Sequence, residues 1–182
     1  MKKIRRANLE DLEQIVDIYN DSIPSRIATG DLQKITVESR LKWFQERDTN
    51  HYPIWVMEDN TSSLTTGFKN QVLGWVSLQH FYGRPAYQST AEISLYIAEQ
   101  CRGQGIGKKL LGYVIEESPK LELTNLLGFI FAHNKPSLNL FKKYKFKQWG
   151  YLPKVAKLDN IERDLIIMGL HLDCKKTQDN ST

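Results

Sequence analysis

Arg102-Gly103-Gln104-Gly105-Ile106-Gly107-Lys108 lies between a strand-like run and an apolar-periodic stretch that reads as a helix over 108–117. Three glycines at alternate positions let a backbone approach an anion closely and adopt angles other residues resist. The amides at the start of the following helix would face that anion with the positive end of the helix dipole behind them. The segment therefore reads as a cradle for a diphosphate, the plain alternative being a surface turn that caps a helix. A P-loop is excluded because Gly107-Lys108 is followed by Lys109, so no hydroxyl is placed to hold magnesium. The dinucleotide fingerprint G-x-G-x-x-G fails as well, since Gly103, Gly105 and Gly107 alternate.

Working outward, 182 residues with 41% hydrophobic content make one ordinary domain over 1–174, with a polar and flexible tail at 175–182. The net charge of +4 is spread along the chain, with short clusters at 2–6 and 142–147, and reads mostly as solvated surface. Cys101 and Cys174 have neither disulfide-framework nor metal-ligand spacing, which suggests a reducing compartment. Cys101, beside a helix start and Arg102, is a candidate for a lowered thiol pKa, although no histidine stands near it to form an acyl relay. His51, His80, His133 and His171 share no ligand spacing, so no metal is expected. The N-terminus lacks the apolar stretch of a signal peptide, and no 18-residue apolar run exists, so a soluble, cytoplasmic protein without a membrane partner is expected.

Residues 4–7 read as a strand, and Asn8 as the N-cap of a helix presenting Leu9, Leu12, Ile15, Val16 and Tyr19 on one face. Thr36 caps a second helix over 37–47 with Leu41 and Phe44 on its apolar side, and the unpatterned segment between the helices is a place for substrate contacts. Strands over 54–57 and 72–78 are joined by a polar linker, and a strand over 90–97 runs into the glycine loop. A buried strand at 126–132, a helix at 136–144 with Pro136 in its first turn, and a strand at 164–172 complete the order β-α-α-β-β-β-α-β-α-β.

With these elements placed, nearly the whole chain resembles the GNAT family of acetyl-coenzyme A-dependent N-acetyltransferases. The resemblance rests on Ala91-Glu92-Ile93-Ser94-Leu95-Tyr96-Ile97 leading into the glycine loop, on Asn134-x-x-Ser137-x-x-Leu140 after a buried strand, and on a short aromatic strand near Phe146. Ile18-Tyr19-Asn20, Arg84-Pro85-Ala86-Tyr87 and Thr90-Ala91-Glu92 are similar to the phosphinothricin and methionine sulfoximine acetyltransferase branch. The resemblance implies an α/β (α+β) fold: a mixed, mostly antiparallel sheet flanked by helices and splayed between its fourth and fifth strands, with acetyl-coenzyme A in the split.

It also implies the roles. An acceptor amine is protonated at neutral pH and must lose a proton before it attacks a thioester, so a base is wanted, and Glu92 matches the branch's glutamate. A main-chain amide around Leu95, Tyr96 and Ile97 would stabilise the oxyanion, and these residues would pair with the pantetheine arm. Arg102, Gly103, Gln104, Gly105, Ile106, Gly107 and Lys108 would hold the diphosphate, while Asn134 and Ser137 would contact the coenzyme arm. Arg84 and Tyr87 would meet the acceptor's carboxylate and side chain, with Ala28 and Thr29 closing the other side, in a homodimer acting on phosphinothricin, methionine sulfoximine or methionine sulfone. One departure stands out: the family's usual tyrosine after Leu140 is Phe141, so no dedicated side-chain acid is expected, and Tyr144 reads as an aromatic packed under Phe146. A peptide or protein N-terminal acetyltransferase is the runner-up within the enzyme class. A non-catalytic acyl-coenzyme A sensor is the alternative outside it. A nucleic-acid partner is not expected, because no basic-aromatic interleaving or recognition helix is present.

Overall fold

A computed structural model describes residues 1–60 and 70–172; the tail at 175–182, Cys174 and most of the 58–71 linker lie outside the described residues. Strands β1 (Lys2–Arg6), β2 (Ile54–Asp59), β3 (Gln71–His80), β4 (Thr90–Ile97), β5 (Asn125–Phe131), β6 (Lys147–Leu158) and β7 (Ile161–His171) form one sheet in the order β1-β2-β3-β4-β5-β7-β6. Every pairing is antiparallel except the parallel contact of β4 with β5. Helices α1 (Leu12–Ser22), α2 (Val37–Gln45), α3 (Ile106–Glu117) and α4 (Lys135–Lys143) flank it.

Period-2 alternation sends neighbouring residues of β3 to opposite layers. The Trp75 indole donates to the Ile15 carbonyl of α1 at 3.1 Å, whereas Gly74 backs onto Ile106 of α3. α1 and α2 therefore cover one face and α3 the other. Leu110, Leu111 and Val114 of α3 are fully buried against the sheet, each contributing about 1.5–3 kcal/mol of transfer free energy.

The start of the chain is fixed by a charge cluster. Arg5 grips Asp11 with two nitrogens at 2.6 and 2.8 Å and reaches buried Glu58 at 2.7 Å, which Lys3 also pairs at 3.1 Å. Burial pulls the Glu58 carboxyl up, but Arg5 and Lys3 outweigh it and hold it below the ordinary range. Asn8 caps a short 3₁₀ turn, Leu9–Asp11, that precedes α1. Leu9 consequently lies on that turn, half exposed, instead of on the apolar face expected of it.

Thr36 caps α2 by accepting the Ser39 amide at 3.2 Å. That helix packs through Trp43 and Phe44, while Leu41, expected on its apolar side, faces solvent. Just beyond α2, Arg47 donates to the carbonyls of Tyr52 and Leu78, and burial pushes its guanidinium down to about 10.

The aromatic strand expected near Phe146 is the start of a 12-residue strand, β6, which pairs with a β7 that begins three residues before the expected 164. Pro153 and two register breaks interrupt β6, and Lys154 adopts a positive φ of 52°. Asp164 of β7 staples that bulge, accepting the Lys154 amide at 2.8 Å and the Tyr151 hydroxyl.

Candidate active site

β4 pairs with β3 from Ala91 to Ile97 but with β5 only from Thr90 to Glu92. Beyond Glu92 the two strands part, as the splayed sheet requires, and a cleft of about 230 Å³ opens between them. In an antiparallel pair every second residue turns its N–H and C=O away from the partner. The outer edge of the stretch from Ile93 to Ile97 therefore offers main-chain donors and acceptors to the cleft. Leu95 and Tyr96 line it with Phe129 and Phe131 of β5.

Glu92 occupies the last paired position, at the fork, and lines the cleft half-buried. Burial pushes its carboxyl up from the ordinary value, and a hydrogen bond with Gln79, its cross-strand neighbour, partly offsets this. A carboxylate so placed has a reduced preference for the ionised form and can take up a proton near neutral pH more readily than a solvated one.

At the far end, Gly103 and Gly105 hold φ values of +75° and +79°, and a built Cβ at either meets nothing within 4 Å. Their backbone is open, and Gly105 caps α3 without any side chain satisfying the first amides. That combination fits a diphosphate. The helix begins at Ile106, two residues earlier than expected, so Gly107 lies in its first turn. There it admits Leu140 of α4, 3.3 Å from a built Cβ. Ile106 is a core side chain and offers only its main chain to a ligand. Arg102, Gln104 and Lys108 are exposed around the loop; Arg102 meets Glu99 at 3.9 Å, and Gln104 donates to the Gln100 carbonyl at 2.9 Å.

Asn134 and Ser137 line the cleft at the start of α4. The Asn134 side chain accepts the Ser137 amide at 3.1 Å and donates to the Ile27 carbonyl at 3.1 Å. Its amide group thus caps the helix and tethers the loop that carries Ala28 and Thr29, both of which line the cleft. His133 adds a second tether, to the Arg26 carbonyl at 2.8 Å. Thr29 shares a 2.6 Å hydrogen bond with the Tyr19 hydroxyl.

Arg84 and Tyr87 are exposed and lie outside the residues lining the cleft. Tyr87 meets Phe81 edge-on at 5.6 Å, and Phe81 stacks on Phe129 at 6.4 Å, so their loop borders the cleft through one intervening ring. Two side-chain expectations change. Tyr144 does not pack under Phe146: its hydroxyl donates to the Lys108 carbonyl at 2.6 Å, and Phe141 takes the place against Phe146, with centroids 4.7 Å apart. The Cys101 thiol is buried, and burial pushes its pKa up instead of down.

One space went unnoticed in the sequence. Trp75, Ser77 and Gln79 of β3 face the same layer as their partners Tyr96, Ser94 and Glu92 of β4, and below α1 and α2 all of these but Glu92 bound a cavity of about 140 Å³ that Arg40 and Trp43 also line. Two alternating polar residues on each of two adjacent strands were the available signal. Among the described residues, no cluster of three or more His, Cys, Asp or Glu is placed to hold a metal ion, and no helix is long and apolar enough to cross a membrane.

Residues 12–146, from the start of α1 through Phe146, match the model of the Acetyltransferase (GNAT) family. The chain belongs to the GNAT family. This GNAT chain is 44% identical over 169 residues to YwnH of Bacillus subtilis, provisionally named a phosphinothricin acetyltransferase, covering 93% of this chain and 98% of that one. It is 30% identical over 170 residues to the L-methionine sulfoximine/L-methionine sulfone acetyltransferase of Pseudomonas aeruginosa, covering 93% and 94%. The solved structure of yncA from Salmonella typhimurium, provisionally named an acetyltransferase and described with its cofactor acetyl-CoA, superposes with a TM-score of 0.84 at 26% identity over 99% of both chains. The expected family and branch resemblance is thus met by relatives of those names, and the fold by the sheet and its single parallel pair.

Proposed function

We propose that this GNAT enzyme transfers acetyl from acetyl-coenzyme A to the primary amine of a small amino-acid analogue of the methionine sulfoximine, methionine sulfone or phosphinothricin type, by direct attack in a ternary complex. One observation carries the reading: a half-buried carboxylate with a raised pKa stands where β4 and β5 part, beside an unpaired strand edge. The names of the relatives support the acceptor class.

Acetyl-coenzyme A supplies an activated acyl thioester. In this reading the uncapped amides at the start of α3, with Arg102 and Lys108, hold its diphosphate, and the free edge at Leu95, Tyr96 and Ile97 binds its amide-bearing arm. Ser137 contacts that arm beside Asn134. Glu92 removes the ammonium proton through a water, leaving the amine lone pair free to attack. A β4 amide donates to the carbonyl oxygen as charge gathers there. The second proton of the attacking nitrogen passes to solvent water, and the thiolate leaves without a side-chain acid, since Phe141 is apolar and the Tyr144 hydroxyl donates to the Lys108 carbonyl. The protein acts in the cytoplasm as a homodimer; Leu152, Val155 and Ile161, exposed on the β6–β7 hairpin, support a self-association surface.

Coenzyme A release with methionine sulfone, methionine sulfoximine, phosphinothricin and short peptides tests this. Turnover with the amino-acid analogues that falls by about 10²-fold or more in Glu92→Gln is the expected result. Equal rates in the variant, or turnover confined to peptides, would overturn it.

A further inference from the structure

The cavity beneath α1 and α2 is as large as voids of about 150 Å³ that admit one benzene-sized molecule. Its wall is aromatic: Tyr96 stacks on Trp75 at 4.7 Å, Trp43 meets Trp75 edge-on at 6.4 Å, and Tyr19 meets Tyr96 at 5.0 Å. One cation enters it. The Arg40 guanidinium lies 5.6 Å from the Tyr19 ring centroid and 5.8 Å from that of Trp43.

Among the described residues, Asp31 is the one carboxylate paired with Arg40. Their 3.6 Å separation is too long for a hydrogen bond. That carboxylate already accepts the Tyr19 hydroxyl at 2.5 Å. A planar guanidinium with five N–H donors, backed by rings and only loosely paired, is suited to grip an incoming carboxylate in bidentate fashion. The cavity also touches the reacting end of the cleft. Ser94 and Tyr96 line both spaces, and Gln79 on the cavity wall hydrogen-bonds Glu92.

We propose that this cavity receives the acceptor, an amino acid whose α-carboxylate is held by Arg40, whose compact side chain packs on the aromatic wall, and whose amine points past Ser94 toward Glu92. An uncharged side chain suits it best, because a second anion would find Asp31 and no further cation among the lining residues, so within the proposed acceptor class this cavity favours methionine sulfone and methionine sulfoximine over phosphinothricin, whose phosphinate is anionic. The inference rests on the assignment of Glu92 as base, and it moves the carboxylate anchor from exposed Arg84 to Arg40.

Trp43 and Trp75 make binding visible without turnover. Intrinsic tryptophan fluorescence is titrated with methionine sulfone and with its carboxamide, coenzyme A being present, in the wild type, Arg40→Gln and Arg84→Gln. The free acid binds the wild type about 10- to 100-fold more tightly than the amide, as expected for one charge-assisted bidentate contact. In Arg40→Gln that difference disappears while the coenzyme affinity stays unchanged. Equal binding of acid and amide by the wild type needs no variant to interpret and overturns the proposal. So do a preference that survives in Arg40→Gln, one that collapses in Arg84→Gln instead, and absence of binding altogether. Selective binding with no acetyl transfer would sink the assignment of Glu92 and leave the Arg40 site standing.

Discussion

Replacing Gly128 by alanine adds one methyl group at a crowded point behind the cleft. A Cβ built there stands 2.5 Å from Cε1 of Phe141 and 3.1 and 3.2 Å from the next two ring carbons, where carbon atoms rest at about 3.5–4.0 Å. The ring must withdraw by about 1 Å, and its surroundings restrict the direction. β5 is paired to β7 along its whole length, and α4 is held by the Asn134 cap and by Tyr144 on Lys108. Phe146 stands behind the ring at 4.7 Å. The cleft, which Phe141 lines, is the open side. Overpacking of this kind costs about 1–3 kcal/mol, or about 2–4 °C of Tm for each kcal/mol in a chain of this size. Gly128→Ala is therefore expected to lose stability by circular-dichroism melting and to raise KM for acetyl-coenzyme A several-fold. The double variant Gly128→Ala/Phe141→Leu should recover part of both. A Gly128→Ala protein within about 0.5 kcal/mol of wild type, or a double variant no better than the sum of the singles, would refute the reasoning.

Because burial raises the Glu92 carboxyl and the base acts deprotonated, kcat/KM should rise with pH through a midpoint above the ordinary 4.5. Gln79→Leu removes the hydrogen bond that lowers that carboxyl, so a pH–rate profile should show the acid limb displaced to higher pH. Arg5→Ala leaves buried Glu58 with Lys3 as its remaining cation and the Asn70 amide as a neutral donor, and should cost about 3–5 kcal/mol in chemical denaturation. Glu58 is held below its unfolded value, so its contribution is present above about 4.5 and lost as the pH falls through the lower folded value. Acid unfolding monitored by fluorescence should therefore depend less steeply on pH in Arg5→Ala over that window.

Strand β4 was legible to its ends because alternation and β-branched content coincide over Thr90–Ile97. The glycine loop was legible too, since Gly103 and Gly105 do adopt the left-handed angles that favour glycine, although Gly107 turned out to serve helix packing. What escaped depended on partners remote in sequence. β6 is mostly exposed, contains Pro153 and is bulged, so its pattern is broken, and its register is set by Asp164 on the neighbouring strand. Leu41 looked like a core residue from spacing alone, but Trp75 and Tyr19 draw the helix round onto its Arg40–Trp43 side. For Asn134, which lines the cleft, local spacing does not reveal the tether that its side chain makes between Ser137 and Ile27.

β4 is a wall with a ligand-sized space on either side of it, and Ser94 and Tyr96 belong to both rooms. Occupation of one room restrains side chains that shape the other. Thermodynamic reciprocity then applies: by whatever factor a guest in the cleft sharpens the grip of the smaller cavity, a guest in that cavity sharpens the grip of the cleft. For the two reactants proposed above, the product of the separate affinities with this mutual factor is the quantity that sets how often both are present together.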